Sequence, residues 1–171
     1  MRLSGLERVY LGMESGSDET LHLMKKGVRV ADSENAMTLF SQHGVKVGGF
    51  FMIGYPGETP ESIWSTLELS AREELDYVSY TVPYPLPGSP LYDRLKAYVD
   101  PTAEWSRERE NAVLYQSEFP EAALKEAIRL AYEAHSLARK AGRDNALDFL
   151  RKRRDGLLAG LKTGASRTLD L

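Results

Sequence analysis

Residues 45–60 read VKVGGFFMIGYPGETP, and this stretch decides the fold class. Its first nine residues, 45–53, are almost continuously apolar, which is typical of a parallel-sheet strand covered on both faces. The turn 54–58 interrupts the run, and Thr59 is a good N-cap for a helix whose first residue is Pro60. The stretch therefore predicts a buried strand, a tight turn and a helix in immediate succession.

Strands and helices alternate on both sides of this stretch. Upstream, the alternating residues 9–14 predict a strand, and helices are expected over 18–26 and 33–43. Downstream, a strand is expected over 76–82, followed by a proline-rich turn and a helix that begins near Pro90. The order β-α-α-β-α-β-α predicts an α/β fold whose parallel strands are joined by right-handed crossovers.

Capping residues and apolar stripes predict how the first three helices end and which faces they bury. Ser17 and Gly27 are expected to cap the first helix, and Gly44 is expected to stop the second. The second helix is expected to bury a stripe made of Ala36, Leu39, Phe40 and His43. The third is expected to bury Ile63, Leu67 and Ala71.

The chain divides into three parts by pattern. Residues 1–98 carry the alternating strands and helices, 99–119 have the character of a connector, and 120–171 are strongly helical with a final ten residues that are expected to fray. One helix is expected over 120–140 and another over 144–161. The first has an apolar stripe made of Leu124, Ile128, Ala131, His135 and Ala138. We expect this stripe to cover exposed apolar surface or to mediate self-association, because a three-stranded parallel sheet leaves open edges.

Composition excludes several classes of function. The formal net charge of −3 gives no basic field for a nucleic-acid partner, and no stretch has the about 18 consecutive apolar residues of a membrane span. The first residues form no apolar export signal, so a cytoplasmic location is expected. The sequence contains no cysteine, which excludes disulfides and thiolate metal sites within the chain.

Glu14 is the strongest individual candidate for a functional residue. In a parallel α/β sheet, ligands collect where the strands end, and Glu14 closes the strand over 9–14. By alternation its side chain points away from the apolar face that Val9, Leu11 and Met13 share, which in a closed barrel is towards the lumen. The alternatives are a ligand-binding carboxylate and one that is paired with a lysine or arginine or caps a helix.

Other notable residues have both functional and structural interpretations. Gly48 and Gly49 indicate close approach by a ligand or by another part of the backbone, with a tight helix–strand contact as the alternative. The histidines His22, His43 and His135 are not spaced like metal ligands. Trp64 and Trp105 are expected to be packing residues. The basic residues 151–154 are expected to form a solvated helix face, with an anionic partner as the alternative.

Three segments together resemble the radical S-adenosylmethionine (SAM) superfamily. Residues 12–17, GMESGS, followed by 21–27, are similar to the region of its fourth strand. Residues 49–59, GFFMIGYPGET, are similar to its fifth strand and the turn that follows, although the spacing of the strict motif is not kept. Residues 83–92, PYPLPGSPLY, are similar to the exit of its sixth strand. Order and spacing both fit over about half of the chain.

The resemblance implies a partial (β/α) barrel, about three strands of a (β/α)6 barrel, followed by a helical extension. It also implies SAM contacts from the fourth strand and from the fifth, at Glu14, Ser15, Gly16, Phe51, Met52, Ile53 and Gly54, while Glu58 and Thr59 shape the turn. Family members bind a 4Fe–4S cluster through a CxxxCxxC loop, and they form a 5′-deoxyadenosyl radical from SAM. The branch with the strongest resemblance carries a cobalamin-binding domain.

The chain departs from the family pattern in one decisive way. It begins just before the fourth strand, so the first three strands, the cysteine loop and any cobalamin-binding domain are expected to be missing. We therefore expect the C-terminal portion of a radical SAM enzyme, inactive alone, whose partner is the missing N-terminal half or a second copy. The alternatives are a non-catalytic binding or regulatory module with this fold, and an unrelated partial barrel with a nucleotide site. The sequence does not indicate which small molecule is the substrate.

Overall fold

The computed structural model describes residues 5–99 and 115–163. The elements follow one another as β1 (Arg8–Glu14), α1 (Asp18–Leu23), α2 (Val30–Gln42), β2 (Lys46–Met52), α3 (Pro60–Ser70), β3 (Leu75–Thr81), α4 (Pro90–Leu95), α5 (Glu121–Ala141), α6 (Arg143–Arg151) and α7 (Arg154–Lys162). The three strands form one parallel sheet in the order β1-β2-β3. This is a partial (β/α) barrel with a helical extension, as the sequence predicts.

The turn between β2 and α3 forms as its residues dictate. The Thr59 hydroxyl accepts a hydrogen bond from the Ser62 amide at 3.0 Å, and the Thr59 amide donates to the Ser62 hydroxyl at 2.9 Å. Pro60 occupies the first turn of the helix, where its missing N–H leaves no bond unmade. Ile63 and Leu67 are fully buried, so the predicted stripe of α3 is confirmed.

The sheet has one face that is covered by helices and one that is open. The covered face carries Met13, Val47, Phe51, Val78 and Tyr80, which belong to the main hydrophobic core with α3 and α5. We use the term open face for the opposite side, where Phe50 is 42% exposed. The expectation that both faces of β2 are covered is therefore wrong within the described residues, because no described element lies over Phe50 and its neighbours.

The helical extension packs on the covered side. The apolar stripe of α5 is buried, including Leu124, Ile128 and Ala131, and it lies against α3 and β3. Tyr132 meets the ring of Tyr80 edge-on at 4.8 Å, and one ring nitrogen of His135 lies 2.9 Å from the Leu75 carbonyl oxygen. The stripe thus covers apolar surface within the chain, which is one of the two roles that the sequence predicts for it.

The ends and faces of two N-terminal helices differ from expectation. Helix α1 ends at Leu23, and Lys25 rather than Gly27 takes the left-handed backbone, with a φ of 57°. Helix α2 begins earlier than expected because the Asp32 carboxylate accepts the Arg29 amide at 2.7 Å and so caps it. Its buried residues are Ser33 and Met37, while Leu39 is 56% exposed, so the stripe predicted through Leu39 is wrong.

The predicted helix over 144–161 is broken into α6 and α7. The Arg153 amide donates to the Leu150 carbonyl at 2.8 Å, a tight turn that ends the first helix. The break allows Leu150 and Leu157 both to be buried. Most of the predicted connector lies outside the described residues, as do Trp105 and the last eight residues of the chain. In the two described ranges, we find no helix with the length and apolarity that crossing a membrane requires.

Candidate functional site

The three strand-end turns lie along one edge of the sheet. Because the strands are parallel, the turns that follow Glu14, Met52 and Thr81 all leave from the carboxyl edge. This is the edge at which parallel α/β folds bind ligands. The predicted grouping of the turns at Ser15, Tyr55 and Pro85 on one rim is therefore present.

Glu14 occupies an unusual backbone conformation. The Ser15 amide donates to the Met13 carbonyl at 2.7 Å, which closes a three-residue γ-turn centred on Glu14. The φ of Glu14 is 62°, and a γ-turn with positive φ is rare and strained. The sheet register also shifts between Gly12 and Glu14. Strain of this kind persists where the surroundings over-determine it, and it concentrates at functional sites.

The carboxylate of Glu14 lies on the open face. A Cβ added at Gly12 would lie 2.8 Å from Glu14 Oε1, so the carboxylate folds back over this glycine. Lys26 Nζ donates to the same oxygen at 2.8 Å, and the Glu14 side chain keeps 17% of its exposure. The structure thus shows the pairing with a lysine that was one of the two alternatives, and ligand binding by Glu14 stays a prediction.

Ser15 and Gly16 face α3 rather than the open face. The hydroxyl of Ser15 is buried and lies 3.1 Å from the Thr66 hydroxyl, which also accepts the Gly16 amide at 2.9 Å. These bonds dock the β1–α1 turn against α3. Any contact of Ser15 and Gly16 with a ligand on the open face would have to come from their main chain.

The predicted contacts on β2 are divided between the two faces. Phe51 and Ile53 are buried on the covered side, where the Phe51 ring stacks on Tyr80 at 5.6 Å. Met52 is half-buried and alternates onto the open face. Gly54 takes a φ of 84° in the turn that follows. Of the seven predicted residues, the structure thus brings the side chains of Glu14 and Met52 to the same face.

Three exposed aromatic residues on the open face were not predicted as part of the site. Tyr10 and Phe50 stack at 5.6 Å, and Tyr77 meets both rings edge-on. A Cβ added at Gly48 would lie 2.4 Å from the Tyr10 ring. The missing side chain of Gly48 therefore makes room for this ring, and not for the tight helix–strand contact that was one of the alternatives. The sequence did contain a signal for this cluster, because Tyr10 and Tyr77 lie in predicted strands at positions that alternate with the apolar residues of the covered face.

The β2–α3 turn is organised by a buried carboxylate. Glu58 Oε2 accepts the amides of Gly54 at 2.8 Å and Tyr55 at 3.1 Å, as expected for a residue that shapes the turn. The Tyr115 hydroxyl donates to the Gly54 carbonyl at 3.1 Å. Burial raises the pKa of Glu58 to about 7, although its two backbone hydrogen bonds act in the opposite direction. Within the described residues, Oε1 of this carboxylate has no hydrogen-bond partner.

The chain does not offer the ligands of a 4Fe–4S cluster. The sequence has no cysteine, whereas such a cluster is held by cysteine thiolates. Over residues 5–99 and 115–163, no three side chains from His, Asp and Glu are grouped as a metal site would require. One ring nitrogen of His43 lies 2.8 Å from the Leu39 carbonyl oxygen, and His135 contacts β3, so both have structural contacts.

Comparison with known proteins supports the resemblance in the N-terminal part of the chain. A family model described as the radical SAM superfamily matches residues 1–70, which include β1, β2 and the turns at their carboxyl ends. These residues, fewer than half of the chain, are similar to the radical SAM superfamily. The match supports the resemblance that the motifs at residues 12–17 and 49–59 indicate.

The proteins similar to this chain include two from archaea, one named as a methyltransferase and one as a methylthiotransferase. An uncharacterized methyltransferase of Pyrococcus horikoshii is 32% identical over 93 residues, which are 54% of this chain and 20% of that protein. A putative methylthiotransferase of Methanocaldococcus jannaschii is 39% identical over 85 residues, 50% of this chain and 19% of that protein. The chain therefore spans about a fifth of the length of these relatives.

A solved structure is also similar to this chain. It is the archaeal Methanocaldococcus infernus Elp3 with an N-terminal deletion, which is 30% identical and covers 53% of this chain and 22% of its own, with a TM-score of 0.47.

Proposed function

We propose that this chain is the SAM-contacting C-terminal portion of a radical SAM enzyme, and that Glu14 binds SAM on the open face. The observation that carries the proposal is the strained γ-turn that holds the Glu14 carboxylate over Gly12. SAM offers hydroxyl groups on its ribose and an ammonium group on its methionine portion. A carboxylate accepts hydrogen bonds from either, and such charge-assisted bonds are strong.

The surroundings of Glu14 suit a ligand of this kind. Lys26 fixes the carboxylate from one side by a single oxygen, Oε1. Partial burial strengthens electrostatic attraction relative to bulk water. Met52 and Phe50 supply apolar surface beside it on the open face, where a planar adenine ring would find packing partners. In this proposal Lys26 is a positioning residue and Glu14 contacts the ligand.

The cluster of a radical SAM enzyme would come from outside this chain. When bound, the cluster supplies the electron that cleaves SAM, and no residue described above fits its ligand set. We infer that the chain alone binds SAM without cleaving it. The cobalamin-binding branch remains a prediction, and any cobalamin would likewise be held elsewhere.

A non-catalytic SAM-binding module is the second candidate. It is favoured by the absence of cysteine from the sequence, since a chain that never meets a cluster would keep the SAM contacts and lose the radical chemistry. Both candidates predict SAM binding by Glu14. The coding sequence upstream of residue 1 distinguishes the two candidates. A CxxxCxxC motif there would favour the enzyme fragment.

Calorimetric titration with SAM tests the role of Glu14. The Glu14→Gln variant keeps the shape of the side chain but loses its charge, so we expect SAM affinity to fall at least about tenfold, the value of one hydrogen bond to a charged group. Glu19→Gln is the matched control, because Glu19 is an exposed carboxylate on the neighbouring helix α1. The SAM affinity of this variant should equal that of the wild type. Equal affinities for all three proteins, or no binding by the wild type, would overturn the proposal.

A further inference from the structure

A groove of about 560 Å³ lies between α5 and α7, in the helical extension. A Cβ added at Gly160, near the end of α7, would lie 3.9 Å from the Cβ of Ala123, near the start of α5. Arg153, just before α7, lines the same groove together with Leu130, further along α5. The two helices therefore run in opposite directions. Thr163, the residue after α7, lies at one end of the groove and Arg153 lies at the other.

The middle of the groove is apolar and open. Leu130 and Leu157 are buried and form its floor. Gly156 also lines the groove, and a Cβ added there meets no atom within 4 Å. An extended segment of polypeptide therefore has room to lie along the groove against apolar atoms.

The end of the groove near the start of α7 has an excess of positive charge. Lys152 and Arg153 line this end, and neither forms an ion pair with a carboxylate of residues 5–99 or 115–163. The side chain of Arg153 donates to the Phe149 carbonyl at 3.0 Å, which leaves its charge uncompensated. The acidic residues nearby each have a cationic partner of their own. These pairs are Glu126 with Arg129, Asp148 with Arg151, and Asp155 with Arg154.

We propose that residues 164–171, which we call the tail, fold back from Thr163 and occupy this groove. Thr163 is the C-cap of α7, so Gly164 stands at the next position. Glycine is the residue that most readily takes the left-handed backbone with which a chain reverses after a helix. From Thr163 to Arg153 the groove is about 15 Å long, the rise of ten helical residues. Eight extended residues reach up to about 26 Å, so the tail is long enough to turn and to span the groove.

The residues of the tail match the two ends of the groove in chemistry. Leu169 and Leu171 are two positions apart, so an extended chain points both side chains to the same side, here towards the apolar floor. Asp170 lies between them and is the one acidic residue of the tail. At this distance from Thr163 its carboxylate comes to the end of the groove where Lys152 and Arg153 have no acidic partner.

The covalent tether favours the tail over a separate polypeptide as the occupant. The tail leaves α7 at the mouth of the groove, so its effective concentration there is in the millimolar range, as for other short flexible links. A separate partner with the same apolar and acidic residues would have to bind without this advantage. The groove is remote from Glu14 in the sequence, and the proposal does not depend on SAM binding.

Trypsin cleavage after Arg167 tests whether the tail is docked. Arg167 is the one lysine or arginine of the tail, and mass spectrometry identifies the product that lacks residues 168–171. Gly156→Leu fills the groove, and Lys152→Glu repels Asp170, while both leave the sequence around the cleaved bond unchanged. Because cleavage follows the population of the open form, each variant should raise its initial rate at least about fivefold over the wild type.

Gly27→Leu and Lys140→Glu are the matched controls. Both residues are exposed and neither lines the groove, and a Cβ added at Gly27 also meets no atom within 4 Å. The same chemical changes at these positions should leave the rate of cleavage after Arg167 as it is in the wild type. Rates in Gly156→Leu and Lys152→Glu that equal those of the controls would overturn the proposal.

A disulfide between introduced cysteines identifies the occupant. The sequence has no cysteine, so Gly156→Cys combined with Leu169→Cys gives a chain with two thiols. Under mild oxidation we expect a disulfide within one chain, because the proposal brings these two positions together. Leu39→Cys combined with Leu169→Cys is the control, since Leu39 is exposed on α2 and should form none with the tail. Disulfides that form only between separate chains, or as readily in the control pair, would overturn the proposal.

Discussion

Replacing Gly16 with alanine should lower the free energy of unfolding by about 3 kcal/mol, at the upper end of the range for an overpacked site. The added Cβ would lie 2.3 Å from the Ser65 carbonyl oxygen and 2.7 Å from the Thr66 amide nitrogen. These are backbone atoms of α3, so they do not swing aside as the end of a side chain does. The β1–α1 turn would have to move away from α3, and the bonds of Ser15 and Gly16 to Thr66 would break. Urea denaturation followed by circular dichroism measures the loss.

Gly27→Ala is the control for this prediction. Gly27 is exposed, and a Cβ added there meets no atom within 4 Å. Its substitution should therefore change stability by no more than about 0.5 kcal/mol, as is usual for surface positions. Equal stabilities for Gly16→Ala and Gly27→Ala would show that the turn carrying Glu14 does not rest on α3.

Glu58 should make the fold less stable as the pH rises towards neutrality. Its pKa is about 7 in the folded chain against an ordinary 4.5, so between these values the folded state holds a proton that the unfolded state has released. Stability then falls by about 1.4 kcal/mol for each pH unit, or about 3 kcal/mol over the whole window. The stabilisation is fully present below pH 4.5 and is lost as the pH passes 7. In Glu58→Gln this dependence should disappear.

The measurement is the difference between the unfolding free energies of the wild type and Glu58→Gln from pH 4 to pH 8. Taking the difference removes the contribution of His135, whose pKa is lowered by burial. Glu61→Gln is the control, because Glu61 is exposed and its pKa is lowered by Lys162, so it is ionised throughout most of the window. A difference curve for Glu58→Gln that stays flat with pH would show that this carboxyl group does not titrate as described.

Local and periodic features of the chain could be predicted from its sequence. The N-caps Ser17 and Thr59 and the buried stripe of α3 depend on residues close together in the chain, and all were predicted. The parallel direction of the strands followed from their alternation with helices. The apolar stripe of α5 could also be predicted, because about six turns of helix repeat the same period of 3.6 residues.

Features that depend on register or on distant residues could not be predicted. The run from Gly48 to Ile53 has no alternation, so nothing in it indicated that Phe50 faces outward and Phe51 inward. The γ-turn at Glu14 follows from a register shift against β2, which no local pattern encodes. The clamp on the β2–α3 turn by Tyr115 joins residues that are 61 positions apart.

The most direct test of the account is to map where SAM binds, by following the backbone amide resonances of the chain in nuclear magnetic resonance spectra. The account predicts that the largest shift changes on addition of SAM lie at Gly12 and Glu14 on β1 and at Phe50 and Met52 on β2. Changes centred on α5 to α7, with the open face unaffected, would contradict it.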